Sequence, residues 1–157
     1  MKKMLLFIAA VLMFLASCES DSKKQSTLDS SIMSDHISEY SKPDECFIYN
    51  KNKDLATLRI YSTGGNKVLG QLTYSLDGKD KNSGPIYGIV KGDTIIVDYK
   101  FESEGVYSKR QVVWVKHGVA LLEGTGEVYQ VNGNVKFKNI SKLTFGNSIV
   151  FEPVDCK

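Results

Sequence analysis

From Glu45 to the C-terminus, apolar and polar residues alternate with a period of two, and glycine-containing turn signals break the alternation at near-regular intervals. Gly64-Gly65, Asp77-Gly78, Lys91-Gly92, Glu104-Gly105, His117-Gly118, Asn132-Gly133 and Gly146-Asn147 mark the breaks. A period of two sends successive side chains to opposite faces of a strand, whereas a helix would repeat every 3.6 residues. No stretch of this region holds a helical period for three turns. Asn-Gly and Asp-Gly are strong hairpin signals, because both central residues of a type I′ turn need positive φ. The chain is thereby confined to antiparallel strands joined by short turns.

In 93–101, Ile95, Val97, Tyr99 and Phe101 share one face, against Thr94, Asp98 and Lys100 on the other. In 67–76, Val68, Leu72, Tyr74 and Leu76 oppose Lys67, Gln71, Thr73 and Ser75. The pattern predicts an all-β fold, an antiparallel meander of eight or nine strands near 46–50, 54–62, 67–76, 85–91, 93–102, 106–116, 119–131, 134–138 and 148–153. Runs of ten residues span about 34 Å and suit an up-and-down barrel. Closing such a sheet removes the exposed edges that invite aggregation. A closed or nearly closed, lipocalin-like barrel is therefore expected. Gly70 and Gly88 fall on inward rows, where they relieve crowding at a sharply coiled wall. Val112, Val113, Trp114 and Val115 are apolar on both faces, so something should cover the outside of that strand.

The first residues are of another kind. Lys2 and Lys3 precede an apolar run from Met4 to Ala16. Thirteen residues rise about 20 Å as a helix, short of the roughly 30 Å hydrocarbon core, which makes this a secretory signal and not a permanent span. Leu15-Ala16-Ser17-Cys18 resembles the lipobox of bacterial lipoproteins. The resemblance implies removal of residues 1–17, diacylglyceryl and palmitate groups on Cys18, and a lipid anchor in the outer membrane, on its periplasmic face or the cell surface. Glu19, Ser20, Asp21 and Ser22 resemble the surface-export signals of Bacteroidetes-type lipoproteins.

Residues 18–44 then read as a lipidated N-terminus and polar tether, with eight serines among residues 19–44. Leu28, Ile32, Met33, His36, Ile37 and Tyr40 nevertheless recur at helical spacing, with Thr27 as candidate N-cap. A short helix over 28–40 is the alternative to a disordered tether, and is one candidate for the cover over Val112–Val115. Without Lys2 and Lys3 the mature chain carries 18 basic and 18 acidic side chains. That balance gives no message about nucleic acid.

Once lipid takes Cys18, Cys46 and Cys156 are the remaining pair. An oxidising compartment favours a disulfide between them, closing a loop of roughly 110 residues, worth about 4–5 kcal/mol in the chain-entropy model. Two free thiols or a redox pair are the alternatives; no C-x-x-C spacing supports redox work.

Catalytic patterns are missing from the sequence. His36 and His117 form no metal-binding arrangement, and no nucleophile-elbow motif is present, so neither metal nor cofactor is expected. Glu123 and Glu127 share a face of one expected strand about 13–14 Å apart, farther than glycosidase pairs. These two, with Asp98, Glu102 and Glu104, read as solvated acids. Gly124-Thr125-Gly126 reads as a bulge or bend. Tyr74, Tyr99, Phe101 and Trp114 are candidates to line a cavity for a small apolar ligand, the alternative being that they fill the core.

Ser83-Gly84-Pro85-Ile86-Tyr87 resembles the S-G-x-x-Y loop of the C-type lysozyme inhibitors, themselves small disulfide-bearing β-barrel lipoproteins. That resemblance implies a protruding loop with Ser83 and Tyr87 entering an enzyme cleft. The runs Lys79–Gly84, Lys91–Thr94 and Glu102–Gly105, with Asp155-Cys156, resemble uncharacterised small Bacteroidetes-type lipoproteins, which implies an envelope location and a β fold. The expectation is a non-catalytic, lipid-anchored binding or interaction module, with the membrane and a small ligand or envelope protein as partners.

Overall fold

The computed structural model describes residues 42–157 except Thr63 and Glu104, and all of them belong to a β domain. The signal segment, Cys18, His36 and the 28–40 segment lie outside the described residues.

Seven consecutive strands form an up-and-down meander: β1 Glu45–Lys51, β2 Asp54–Ser62, β3 Lys67–Ser75, β4 Asn82–Lys91, β5 Thr94–Ser103, β6 Val106–His117 and β7 Ala120–Glu123. Each pairs antiparallel with the next. The last strand, β10 Val150–Val154, enters between β7 and β1 and pairs antiparallel with both. Eight strands thus close on themselves as a barrel, which is the expected fold. A hairpin, β8 Val128–Val131 and β9 Asn134–Phe137, lies outside the eight, with β9 parallel to β6 at Lys109 and Arg110. Its turn has positive φ at both Asn132 (50°) and Gly133 (76°), as the Asn-Gly signal requires.

Two departures from the expected strands have local causes. The run 119–131 divides in two at Gly124–Glu127. Gly124 donates its N–H to the Val113 carbonyl at 2.8 Å, and Thr125 pairs with Thr144. A Cβ on Gly124 would meet the ring of Phe145 and a methyl of Leu143, so the bend is held from outside the barrel. Residues 124–149 thus form an excursion that returns to the barrel as β10. The second departure is that β4 begins at Asn82 instead of residue 85, which takes Asn82, Ser83 and Gly84 into the sheet. A Cβ at Gly84 would overlap the Lys100 carbonyl oxygen of β5, and one at Gly88 would overlap that of Ile96. Glycine there reflects the close approach of a neighbouring backbone at a strongly coiled wall.

The inward rows supply a single core. Phe47 of β1, Leu58 of β2, Leu72 of β3, Ile86 of β4, Val97 of β5, Trp114 of β6, Leu121 of β7 and Phe151 of β10 all join it. Val113, on the outward row of β6, is also fully buried, as the two-faced apolar run of that strand predicted.

Cys46 and Cys156 form a disulfide with Cα atoms 5.3 Å apart, spanning 110 residues. The bond ties β1 to the chain just past β10, where the ring is completed by short pairings. Replacing both cysteines by serine should lower the unfolding free energy by about 4–5 kcal/mol. Urea denaturation of the wild type and the double variant measures this, and a difference below about 1 kcal/mol would contradict a seam-closing role.

Candidate binding site

Side-chain parity decides what the interior holds. On β6 the inward row runs through Ser108, Arg110, Val112 and Trp114, and its cross-strand partners on β5 are Phe101, Tyr99, Val97 and Ile95. On β7 the inward residues are Leu121 and Glu123, with Glu123 opposite Trp114. One cation, Arg110, and one carboxylate, Glu123, therefore enter rows whose other members, Ser108 apart, are apolar or aromatic.

Arg110 lays its guanidinium over three rings, with Cζ 4.9 Å from the centroid of Tyr74, 5.4 Å from Tyr99 and 5.5 Å from Phe101. Tyr99 and Phe101 stack with centroids 4.9 Å apart. Such contacts stabilise a partly desolvated cation by about 1–2 kcal/mol each. The Tyr74 hydroxyl donates to Glu123 Oε2 at 2.6 Å, so Tyr74 contacts both groups, Arg110 through its ring face and Glu123 through its hydroxyl. Deeper in, Trp114 and Phe151 meet edge to face at 6.1 Å, and Tyr74 meets Phe151 at 6.5 Å.

Burial is the main influence on the acids of the cluster. It pushes the Glu123 carboxyl above its ordinary range, against the hydrogen bond from Tyr74, the Arg110 charge and the nearby Trp114 indole, which favour the ionised form. The Tyr74 phenol is raised well above its usual value by burial and then by the Glu123 charge. Tyr99 is raised in the same direction by burial, with Arg110 opposing.

Among the described residues, four buried side-chain polar atoms have no hydrogen-bond partner: Asn82 Oδ1, Tyr99 Oη, Arg110 Nε and Trp114 Nε1. The Trp114 indole is near enough to Glu123 to favour its charge, but without hydrogen-bond geometry. Asn82 sits opposite Tyr74 in the ladder, and Tyr99 sits opposite Arg110. Asn82, Phe101 and Arg110 are only half-buried, so the cluster reaches the barrel mouth formed by the start of β4, the end of β5 and the start of β6. An unsatisfied buried polar atom costs about 1–3 kcal/mol, and two of them, Tyr99 Oη and Arg110 Nε, belong to residues directly opposite each other in the ladder.

Tyr74, Tyr99, Phe101 and Trp114, the candidate cavity residues, are brought together and pack on one another inside the barrel. Arg110, Glu123 and Asn82 were not anticipated as site residues. Their inward parity was the available signal, since Arg110 shares its row with Trp114 and Glu123 shares its row with Leu121. Glu123 is thus no solvated acid, and it shares no strand with Glu127, which follows the bend and pairs with Lys138 at 3.2 Å. Asp98 does face outward, 3.0 Å from Lys109.

The segment 83–87 is no protruding loop. It lies inside β4 between β3 and β5. The Ser83 hydroxyl is engaged across the ladder by Thr73 Oγ1 at 2.8 Å and Gln71 Nε2 at 3.2 Å. Tyr87 is exposed on the outer face of the wall. The S-G-x-x-Y spacing here meets the needs of a coiled strand, with Gly84 under the β5 backbone.

Two clefts lie elsewhere. One of about 680 Å³ surrounds the disulfide, with Phe47 and Leu121 in its floor and Lys42, Lys116 and Asp155 on its rim. The other, about 320 Å³, runs over the outer face of β2 and β3 past Arg59, Gln71 and Thr73. None of the unpartnered buried groups lines either cleft, and Lys42 on the rim of the first is where the described chain begins. No group of three or more potential metal ligands occurs among the described residues. Comparison of this chain with protein-family models, curated proteins and solved structures finds no match.

The raised carboxyl gives a signed pH dependence. An acid whose folded-state pKa lies above its unfolded value adds stability below the unfolded pKa, and that contribution is lost as pH rises through the folded one. Glu123→Gln keeps an acceptor for the Tyr74 hydroxyl and removes the titration. The variant should therefore gain stability relative to wild type between pH 4 and pH 7. Chemical denaturation at both values measures it; an unchanged difference would show that the carboxyl is not perturbed.

Proposed function

We propose that this chain is a lipid-anchored envelope protein that binds a small ligand at the mouth of its barrel without transforming it. The observation that carries the binding reading is the cluster around Arg110, where Asn82 Oδ1, Tyr99 Oη and Arg110 Nε are buried without partners at a half-open end. Protein interiors satisfy most buried polar groups, and a local exception with displaced acid strengths is a recognised mark of a functional site. A charge-bearing ligand fits this cluster better than the apolar one the aromatic residues alone suggested.

The anchor reading is supported by Leu15-Ala16-Ser17-Cys18 behind a short apolar run and two lysines. A disulfide between Cys46 and Cys156 agrees with folding in an oxidising compartment. Together these favour a domain held at the membrane by lipid on Cys18 and a polar tether.

Glu123 and Tyr74 are convergent titratable groups of the kind an enzyme needs. Burial holds the proton on Tyr74, and that proton is committed to Glu123 at 2.6 Å. The pair is suited to fixing a ring in place more than to exchanging protons with a substrate. Ser108 lies on the inward row beside Arg110, but the cluster offers no histidine to act as its base and no cysteine.

The test is made on the full-length protein extracted from its membrane in detergent. Labelled palmitate should enter the wild type and not Cys18→Ser. Native mass spectrometry should find a small non-lipid mass on the wild type that is reduced or missing on Arg110→Gln. An unlabelled wild type would remove the anchor, and equal occupancy of the two proteins would remove the mouth as the site.

A further inference from the structure

We infer that the mouth of the barrel takes a small monocarboxylate that also donates a hydrogen bond, with its carboxylate on Arg110 and its donor on Asn82. The inference rests on the reading of the mouth as a binding site and specifies the chemistry that site selects.

The charge count comes first. Arg110 is the cation of the cluster. Lys100 and Lys109 flank it in the β-ladders but alternate to the outer face, where Lys109 lies 3.0 Å from Asp98 and Lys100 lies over the Tyr107 ring at 5.7 Å. Glu123 adds a carboxyl at the Tyr74 hydroxyl. A single guanidinium balances at most one negative charge. A phosphate dianion would bring a second charge into a desolvated place with nothing to meet it.

Geometry makes the second argument. A guanidinium is a planar fork of donors that matches the two oxygens of a carboxylate. Here the fork is held by three ring faces, all between 4.9 and 5.5 Å from Cζ. Its orientation is fixed before any ligand arrives, which lowers the ordering cost of binding. The unpartnered Nε–H is the donor left over after that packing.

The remaining orphan groups define the rest of the ligand. Asn82 Oδ1 is a buried acceptor and calls for a donor. Tyr99 Oη, on the residue directly opposite Arg110, can donate to a carboxylate oxygen or accept from a hydroxyl. The side chain of Phe101, half-buried and stacked on Tyr99, offers an apolar wall at the entrance. A carboxylate with an N–H or O–H near it and an apolar substituent satisfies all of these at once. N-acyl amino acids and hydroxy acids both have this form.

Isothermal titration of the detergent-solubilised, full-length lipoprotein can decide the matter with four probes: N-acetylphenylalanine, its primary amide, mandelate and inorganic phosphate. At least one of the two carboxylates should bind, and the more tightly bound one separates the N–H from the O–H form of the donor. The amide should bind at least about tenfold more weakly than N-acetylphenylalanine where the latter binds, the loss expected for one charge-assisted hydrogen bond. Arg110→Gln should weaken the bound carboxylate about 10- to 100-fold, and Arg110→Lys should not restore it, because the bidentate fork is gone. Asn82→Asp leaves Arg110 in place and should weaken the same probe by a similar factor, through a second negative charge. Circular dichroism and the melting temperature of each variant establish that the barrel is intact.

Phosphate binding more tightly than the carboxylates, or the amide binding as well as N-acetylphenylalanine, would overturn the inference. So would failure of both carboxylates. An Arg110-dependent ligand mass in the native spectrum would in those cases still uphold the broader binding reading. Carboxylate affinity indifferent to both Arg110→Gln and Asn82→Asp would overturn the site itself.

Discussion

The placement of β10 between β1 and β7 is the constraint from which the rest of the domain follows. Without it the meander β1–β7 would be an open sheet with two exposed edges and no defined inside. With it, every strand of the ring has a neighbour on both sides, and the alternation of side chains becomes a distinction between interior and exterior. The strand that achieves this is only five residues long, and its register with β7 and β1 rests on two and three residue pairs. A covalent bond from Cys46 to Cys156 therefore stands at the place where the ladder is least extensive. Bringing ends 110 residues apart together is entropically expensive in an unlinked chain, and the disulfide removes much of that cost from the unfolded side.

Once the ring is closed, parity applies to charged residues as strictly as to apolar ones. Arg110 and Glu123 fall on inward rows and cannot reach solvent on the outer face without a one-residue slip that would expose Trp114, Val112 and Leu121. Their presence inside is accommodated locally. Three ring faces shield the guanidinium, and the Tyr74 hydroxyl meets the carboxylate. The accommodation is incomplete, since burial holds the Glu123 carboxyl above its ordinary pKa range and Arg110 keeps an unpartnered Nε. A core chosen for stability alone would place methylene groups there. The strain between packing and polarity is concentrated at one end of the barrel, while the deeper layers around Leu72, Ile86 and Val97 are apolar.

Much of this was readable along the chain, and the failures are instructive about why the rest was not. Alternation and turn residues located the hairpins from β1 to β7, because those are short-range choices made by backbone conformation and pleat. The break at Gly124 was visible as a bend. That it divides a strand in two depends on Leu143 and Phe145, some twenty residues further on. Ser83-Gly84-Pro85 has the composition of a loop, yet the approach of Lys100 from β5 makes a glycine necessary inside a strand. Glu123 was assigned to solvent by its residue type, when its position relative to Leu121 already placed it inward.

What the sequence determined alone is whatever depends on neighbours along the chain: antiparallel strands, their turns and the facing of each side chain relative to the next. What only the tertiary structure decided is which of those faces became the interior and which residues from different strands meet there. Arg110, Tyr74 and Glu123 are 13 to 49 residues apart in sequence, and nothing local relates them. The coiling of the wall and the insertion of the last strand set their distances, because cross-strand geometry is fixed by closure of the whole ring and not by any segment of it.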